Sequence, residues 1–77
     1  MRLETTKAAP GDWVIIGGHN PQDLNNHMIK IGGASPRPAM FEGDRMLTRC
    51  PNVLGRATVY VDGVHVGSLL VETPSAD

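Results

Sequence analysis

Ala57-Thr58-Val59-Tyr60-Val61-Asp62-Gly63-Val64-His65-Val66-Gly67-Ser68-Leu69-Leu70-Val71 contains two β-prone runs separated by a single Asp-Gly pair. Asp-Gly between alternating strands favours a two-residue type I′ turn, because both central residues adopt positive φ and the turn's twist matches that of the strands it joins. Counting outward from the turn sets a register in which Val61 faces Val64, Tyr60 faces His65 and Val59 faces Val66. Val59, Val61, Val64 and Val66 then form one apolar face, and Thr58, Tyr60 and His65 form the other. An isolated hairpin is marginal in water, so the valine face has to be covered by the rest of the chain.

Upstream, Pro10-Gly11-Asp12 is turn chemistry, and the apolar run Trp13-Val14-Ile15-Ile16 that follows reads as a buried strand closed by Gly17-Gly18. Arg2 to Thr6 alternates weakly, as an edge strand does. Asn20 offers an N-cap, Pro21 suits a first helical position, and Asp23 places negative charge at the positive end of a helix dipole. Leu24, Met28 and Ile31 follow at i, i+4 and i+7, with Lys30 in the last turn and Gly32 as a terminator, so the spacing predicts a short helix over about 21–31. Residues 33–38, Gly-Ala-Ser-Pro-Arg-Pro, read as an exposed loop. Glu42-Gly43-Asp44 reads as a tight hairpin between Ala39-Met40-Phe41 and Arg45-Met46-Leu47. Cys50-Pro51-Asn52 interrupts pairing, because proline brings no donor to a ladder, and the polar end from Thr73 to Asp77 is expected to fray.

These elements predict a single domain over residues 1–77 of α+β, mostly β class. The expected form is a small antiparallel sheet, or an SH3-like or OB-like barrel, of four to five strands with one short helix and the C-terminal β-hairpin turning at Asp62-Gly63. The expected core is Trp13, Val14, Ile16, Leu24, Met28, Ile31, Phe41, Leu47, Val59, Val61, Val64, Val66 and Leu69. Such a chain buries only about 60% of its unfolded surface, so support from a partner is physically reasonable. Charged residues are 19% of the sequence and there are nine Gly and six Pro, giving a surface less ionic and richer in loops than average.

A lone cysteine, Cys50, permits no internal disulfide, and the first residues include no apolar stretch of signal-peptide length. A reducing compartment, the cytoplasm or a particle assembled there, is the expectation. The longest large-apolar run, Trp13 to Ile16, is far short of the ~20 residues of a membrane span. The net charge is −1 with segregated signs: residues 30–56 carry a balance of +3, and residues 57–77 one of −3. The two patches could meet in neighbouring copies, but neutralising each other within one fold is the leading expectation.

Chemical motifs are sparse. No GxSxG turn or papain-like cysteine context occurs, Cys50 before Pro51 reads as a small buried hydrophobe, and no enzyme or cofactor is expected. Gly17-Gly18 and Gly32-Gly33 match neither GxGxxG nor GxxxxGK and are read as turns. The possible metal ligands His19, His27 and His65 lack paired ligand spacing. Asp23 and His27 at i, i+4 suit the orienting of an imidazole as well as metal binding, so a metal site is a secondary reading. Nucleic-acid binding would draw on Arg37, Arg45, Arg49 and Arg56 with Phe41 or Trp13 as stacking platforms, and is another secondary reading. The leading expectation is a non-enzymatic protein-interaction or assembly module. Examples are a subunit decorating a larger particle such as a virion component, or a small inhibitor occluding another protein. Its contact residues are expected to be Arg37, Met40, Phe41, Arg45, Met46 and Arg49, because Arg, Met and aromatics are enriched at interfaces. The partner is another protein or further copies of the chain.

Overall fold

The computed structural model describes residues 1–73. These residues form nine strands: β1 (Arg2–Leu3), β2 (Lys7–Ala8), β3 (Trp13–Gly17), β4 (Met28–Ile31), β5 (Arg37–Pro38), β6 (Met40–Glu42), β7 (Arg45–Arg49), β8 (Gly55–Val61) and β9 (Val64–Val71). They divide into two sheets, of order β1-β3-β7-β6 and β2-β9-β8-β4-β5, instead of one sheet of four or five strands. Pairing is antiparallel except between β2 and β9, where Lys7 and Ala8 run parallel to Leu70 and Val71. Apart from Thr73, the end expected to fray lies outside the described residues.

The β8–β9 hairpin turns where the sequence places it, with φ of 52° at Asp62 and 83° at Gly63. Val61 pairs with Val64 and Tyr60 with His65, but Val59 pairs with Gly67 instead of Val66. The extra residue is a β-bulge, which reverses the parity of everything beyond it. Leu69 and Val71 therefore join Ala57 and Val59 on the buried side, while Val64, near the turn, is left exposed. Gly67 fits here because it lies directly under Leu3, whose Cβ would be only 2.8 Å from a Cβ at position 67.

No helix forms among the described residues. Residues 21–27 are turn and irregular backbone, and the predicted helix ends instead as strand β4. Two local effects decide this. Asn20 Oδ1 accepts the Gln22 N–H, as an N-cap does, but Asp23 Oδ1 takes the Asn25 N–H, which a helix from residue 21 would direct to the Pro21 carbonyl, so the first turn is not continued. Met28-Ile29-Lys30-Ile31 also alternates with period two, and burying Ile29 and Ile31 against Val61 and Val59 of β8 outweighs the sparser helical spacing. Leu24, the first apolar position of that helix, is 90% exposed.

One buried cluster joins the sheets. Val14, Ile16 and Met46 come from the first sheet, and Ile29, Ile31, Ala57, Val59, Val61, Leu69 and Val71 from the second, with Ala8 and Cys50 completing it. Trp13, Met28, Phe41 and Val64, expected inside, are exposed to different degrees, and Leu47 and Val66 are half-buried. The chain passes from one sheet to the other at Ala39. The short strand β5 edges the five-stranded sheet, replacing part of the predicted 33–38 loop, and β6 edges the four-stranded one. The β6–β7 hairpin closes on Gly43-Asp44, with Gly43 at φ 61° in first place as a II′ turn requires.

Candidate functional site

Among the described residues, two places bring the candidate residues together. The first is a shallow groove of about 280 Å³ lined by Trp13, Arg37, Pro38, Met40, Thr48 and Arg49. Trp13 and Arg49 are cross-strand partners on β3 and β7. That pairing places the Arg49 guanidinium 3.8 Å from the centre of the indole ring, a cation–π stack. Arg49 also donates to the Gly11 carbonyl at 2.9 Å, which ties the stack to the turn before β3. Met40 is 58% exposed on the edge strand β6.

The second place is the loop between β3 and β4, which brings His19, Asp23 and His27 together with one donor atom from each within 4.8 Å of the others. The His19 backbone N–H donates to the Asp44 carbonyl at 2.8 Å, anchoring the start of the loop to the β6–β7 turn. The His19 ring is buried, and neither of its nitrogens has a hydrogen-bond partner. Phe41 stacks on it with ring centres 4.7 Å apart, and His27 approaches it edge-on at 5.5 Å. The Nδ1 of His27 bonds to Asp62 Oδ2 and its Nε2 lies 2.9 Å from Asp23 Oδ2. Asp62 accepts the Met28 N–H through its other oxygen.

This arrangement sets the local electrostatics. The bond to Asp62, then that to Asp23, raises the His27 pKa above its ordinary 6.5, because each carboxylate favours the imidazolium. Asp62 is held below the usual carboxylate value of 3.8 chiefly by His27, with the Met28 N–H second. Asp23 is lowered first by the Asn25 N–H and then by His27.

The residues expected at a contact surface separate. Arg37, Met40 and Arg49 line the groove. Phe41 follows Met40 on β6 but covers His19. The guanidinium of Arg45 is drawn to Glu4, with Nε 3.7 Å from Oε2. Met46 is fully buried, so it offers no surface, because alternation on β7 turns it and Thr48 inward. Arg56 is exposed on β8, opposite Leu70, and does not line the groove with Arg37 and Arg49. Of the three histidines, His19 and His27 meet, whereas His65 sits beside Tyr60 across the hairpin at 5.9 Å. Cys50 is buried, and burial, with Asp12 second, pushes its thiol pKa up. Sequence reasoning linked Asp23 to His27 through a helix that does not form, and read Asp62 only as a turn residue. Its side chain's reach to position 27 has no local signal.

No protein-family model matches the chain, and no curated protein is significantly similar to it. Among the described residues no helix is long and apolar enough to cross a membrane.

Proposed function

We propose that this chain is a non-enzymatic protein-interaction module that takes an extended segment of a partner protein along the edge formed by residues 37–42. The observation that carries the reading is the groove in which Trp13, stacked by Arg49, lies beside Met40 and Pro38. Exposed Trp, Arg and Met in one concavity is the composition that dominates protein interfaces energetically. β6 is the last strand of its sheet, so its outer backbone groups suit the addition of a partner strand. Pro36 and Pro38, just before and within β5 at the edge of the other sheet, bring no N–H donors and limit indiscriminate pairing there. Arg37 and Arg49 favour an acidic residue in the partner segment, and Trp13 and Met40 an apolar one.

Crosslinking with mass spectrometry tests the reading, using the pure chain alone and the chain mixed with extract of its source cells. The expected result is a protein crosslinked through residues 37–49, lost in Arg37→Glu and in Met40→Glu while both variants keep the wild-type circular dichroism. Crosslinks that map elsewhere, or capture that both variants retain, would count against it.

A further inference from the structure

We propose that His19, Asp23 and His27 form a binding site for a divalent first-row transition ion of the zinc class, oriented by Asp62. The site is separate from the groove and does not depend on the interaction reading.

The first observation is His19. A neutral imidazole has one donor and one acceptor nitrogen, and leaving both unpaired in the interior is unfavourable. The His19 ring is only 4% exposed, and both nitrogens lack partners. Its Nε2 lies 4.0 Å from Asp23 Oδ2, too long for a hydrogen bond; two donors on one tetrahedral zinc, at about 2.0–2.2 Å each, stand about 3.3–3.6 Å apart, so a closure of about half an ångström brings both onto one ion. An ion between them supplies what the ring lacks.

The second observation is the orientation of the other donors. His27 Nδ1 is taken by Asp62, so in the neutral ring Nε2 bears the lone pair, and the 2.9 Å contact it makes with Asp23 Oδ2 is the one an ion would replace. A carboxylate behind a histidine is the usual outer partner of a metal-bound imidazole, fixing its tautomer and ring plane. Asp62 is itself held by the Met28 N–H. Asp23 is arranged the same way, with Oδ1 accepting the Asn25 N–H and Oδ2 turned toward the two rings. Phe41 closes the apolar side of the cluster against both imidazoles, at 4.7 and 6.0 Å.

The donor set chooses the ion. Two imidazoles and one carboxylate suit zinc and its first-row neighbours, whereas calcium and magnesium require oxygen ligands. The Asp23 and Asp62 carboxylates together match the charge of a divalent cation. Three protein ligands leave a fourth position for water or a ligand.

Zinc titration of the full chain against a chromophoric chelator, paired with cobalt(II) absorption spectroscopy, tests the site. Wild type is expected to take up a single equivalent and to give the visible bands of four-coordinate cobalt. Asp23→Asn and His27→Gln should weaken binding at least about 10-fold, and Asp62→Asn by about 10–100-fold, the loss typical of an outer-sphere partner. Asn-Gly supports the same turn as Asp-Gly, so Asp62→Asn retains the hairpin and separates ligand orientation from folding. His65→Gln should bind as wild type does. The proposal is overturned if wild type takes up no zinc at millimolar concentration. It is equally overturned if Asp23→Asn and Asp62→Asn, with unchanged circular dichroism, bind zinc as tightly as wild type.

Discussion

Gly67→Ala should be among the most damaging single-methyl additions to this chain. Position 67 has φ 153°, a region costly for any side chain, and the strain is of order 1–3 kcal/mol. The added Cβ would also lie 2.8 Å from Leu3 Cβ and 3.1 Å from its Cδ2. Overpacking of this kind typically costs about 1–3 kcal/mol. β1 is only two residues long and sits at a sheet edge, so peeling it away caps the steric part at the value of burying one leucine, about 1.5–3 kcal/mol. Together the two effects give about 2–6 kcal/mol, a large share of the roughly 4–12 kcal/mol that 77 residues usually provide. Urea denaturation of wild type, Gly67→Ala, Leu3→Gly and the double variant measures both parts. Leu3→Gly removes the Cβ that collides, so in that background Gly67→Ala should cost about 1 kcal/mol less or lower still, the remainder being backbone strain. A Gly67→Ala penalty below about 0.5 kcal/mol, or one identical in both backgrounds, would refute the close approach of β1 to the bulge.

Three further outcomes follow from particular residues. Met46→Ala should destabilise the fold by about 2–5 kcal/mol, as truncation of a fully buried side chain does, and a loss under about 1 kcal/mol in chemical denaturation would mean that the residue is not in the core. In chelator, stability should depend on pH through His27 and its two carboxylates. The raised His27 pKa makes its contribution complete below 6.5 and lost as pH rises through the folded value. The lowered pKa values of Asp62 and Asp23 make theirs complete above 3.8 and lost as pH falls through the folded values. Melting temperature should therefore fall on both sides of that window, less steeply on the alkaline side in His27→Gln, and a wild-type profile flat from neutral to mildly alkaline pH would contradict the network. Trp13→Ala should reduce partner capture strongly and, because the residue is only 38% exposed, should also lower the denaturation midpoint; capture retained by the folded variant would count against the groove.

Much of the β architecture was legible because it rests on local chemistry. Asp62-Gly63 fixes its own turn, Trp13 to Ile16 reads as a strand although only Val14 and Ile16 of it are buried, and Gly43 marks a second hairpin. What sequence reasoning misread came from competition between signals of similar strength. Residues 20–31 present helix-start residues and an i, i+4, i+7 series, but the same stretch ends in Ile29-Lys30-Ile31, and pairing with β8 buries those isoleucines more completely than a lone helix would. The valine face drawn from strict alternation fails at Gly67, because a bulge is set by the approach of Leu3 from 64 positions away in the chain. The histidine cluster was legible only in fragments. Asp23 and His27 were linked for a wrong reason, and nothing near His19 shows that its ring is enclosed by Phe41.

Asp62 is a corner of the hairpin and also the support of a ring 35 positions earlier. Its two carboxylate oxygens thus fasten the long 18–27 excursion to an element that forms from contacts of its own. The excursion has no regular structure to hold it, and its order is borrowed from the β6–β7 turn at its start, through His19, and from the hairpin at its end. Opening β8 from β9 withdraws Asp62 from His27, so occupancy of the cluster and integrity of the ribbon are expected to report on one another.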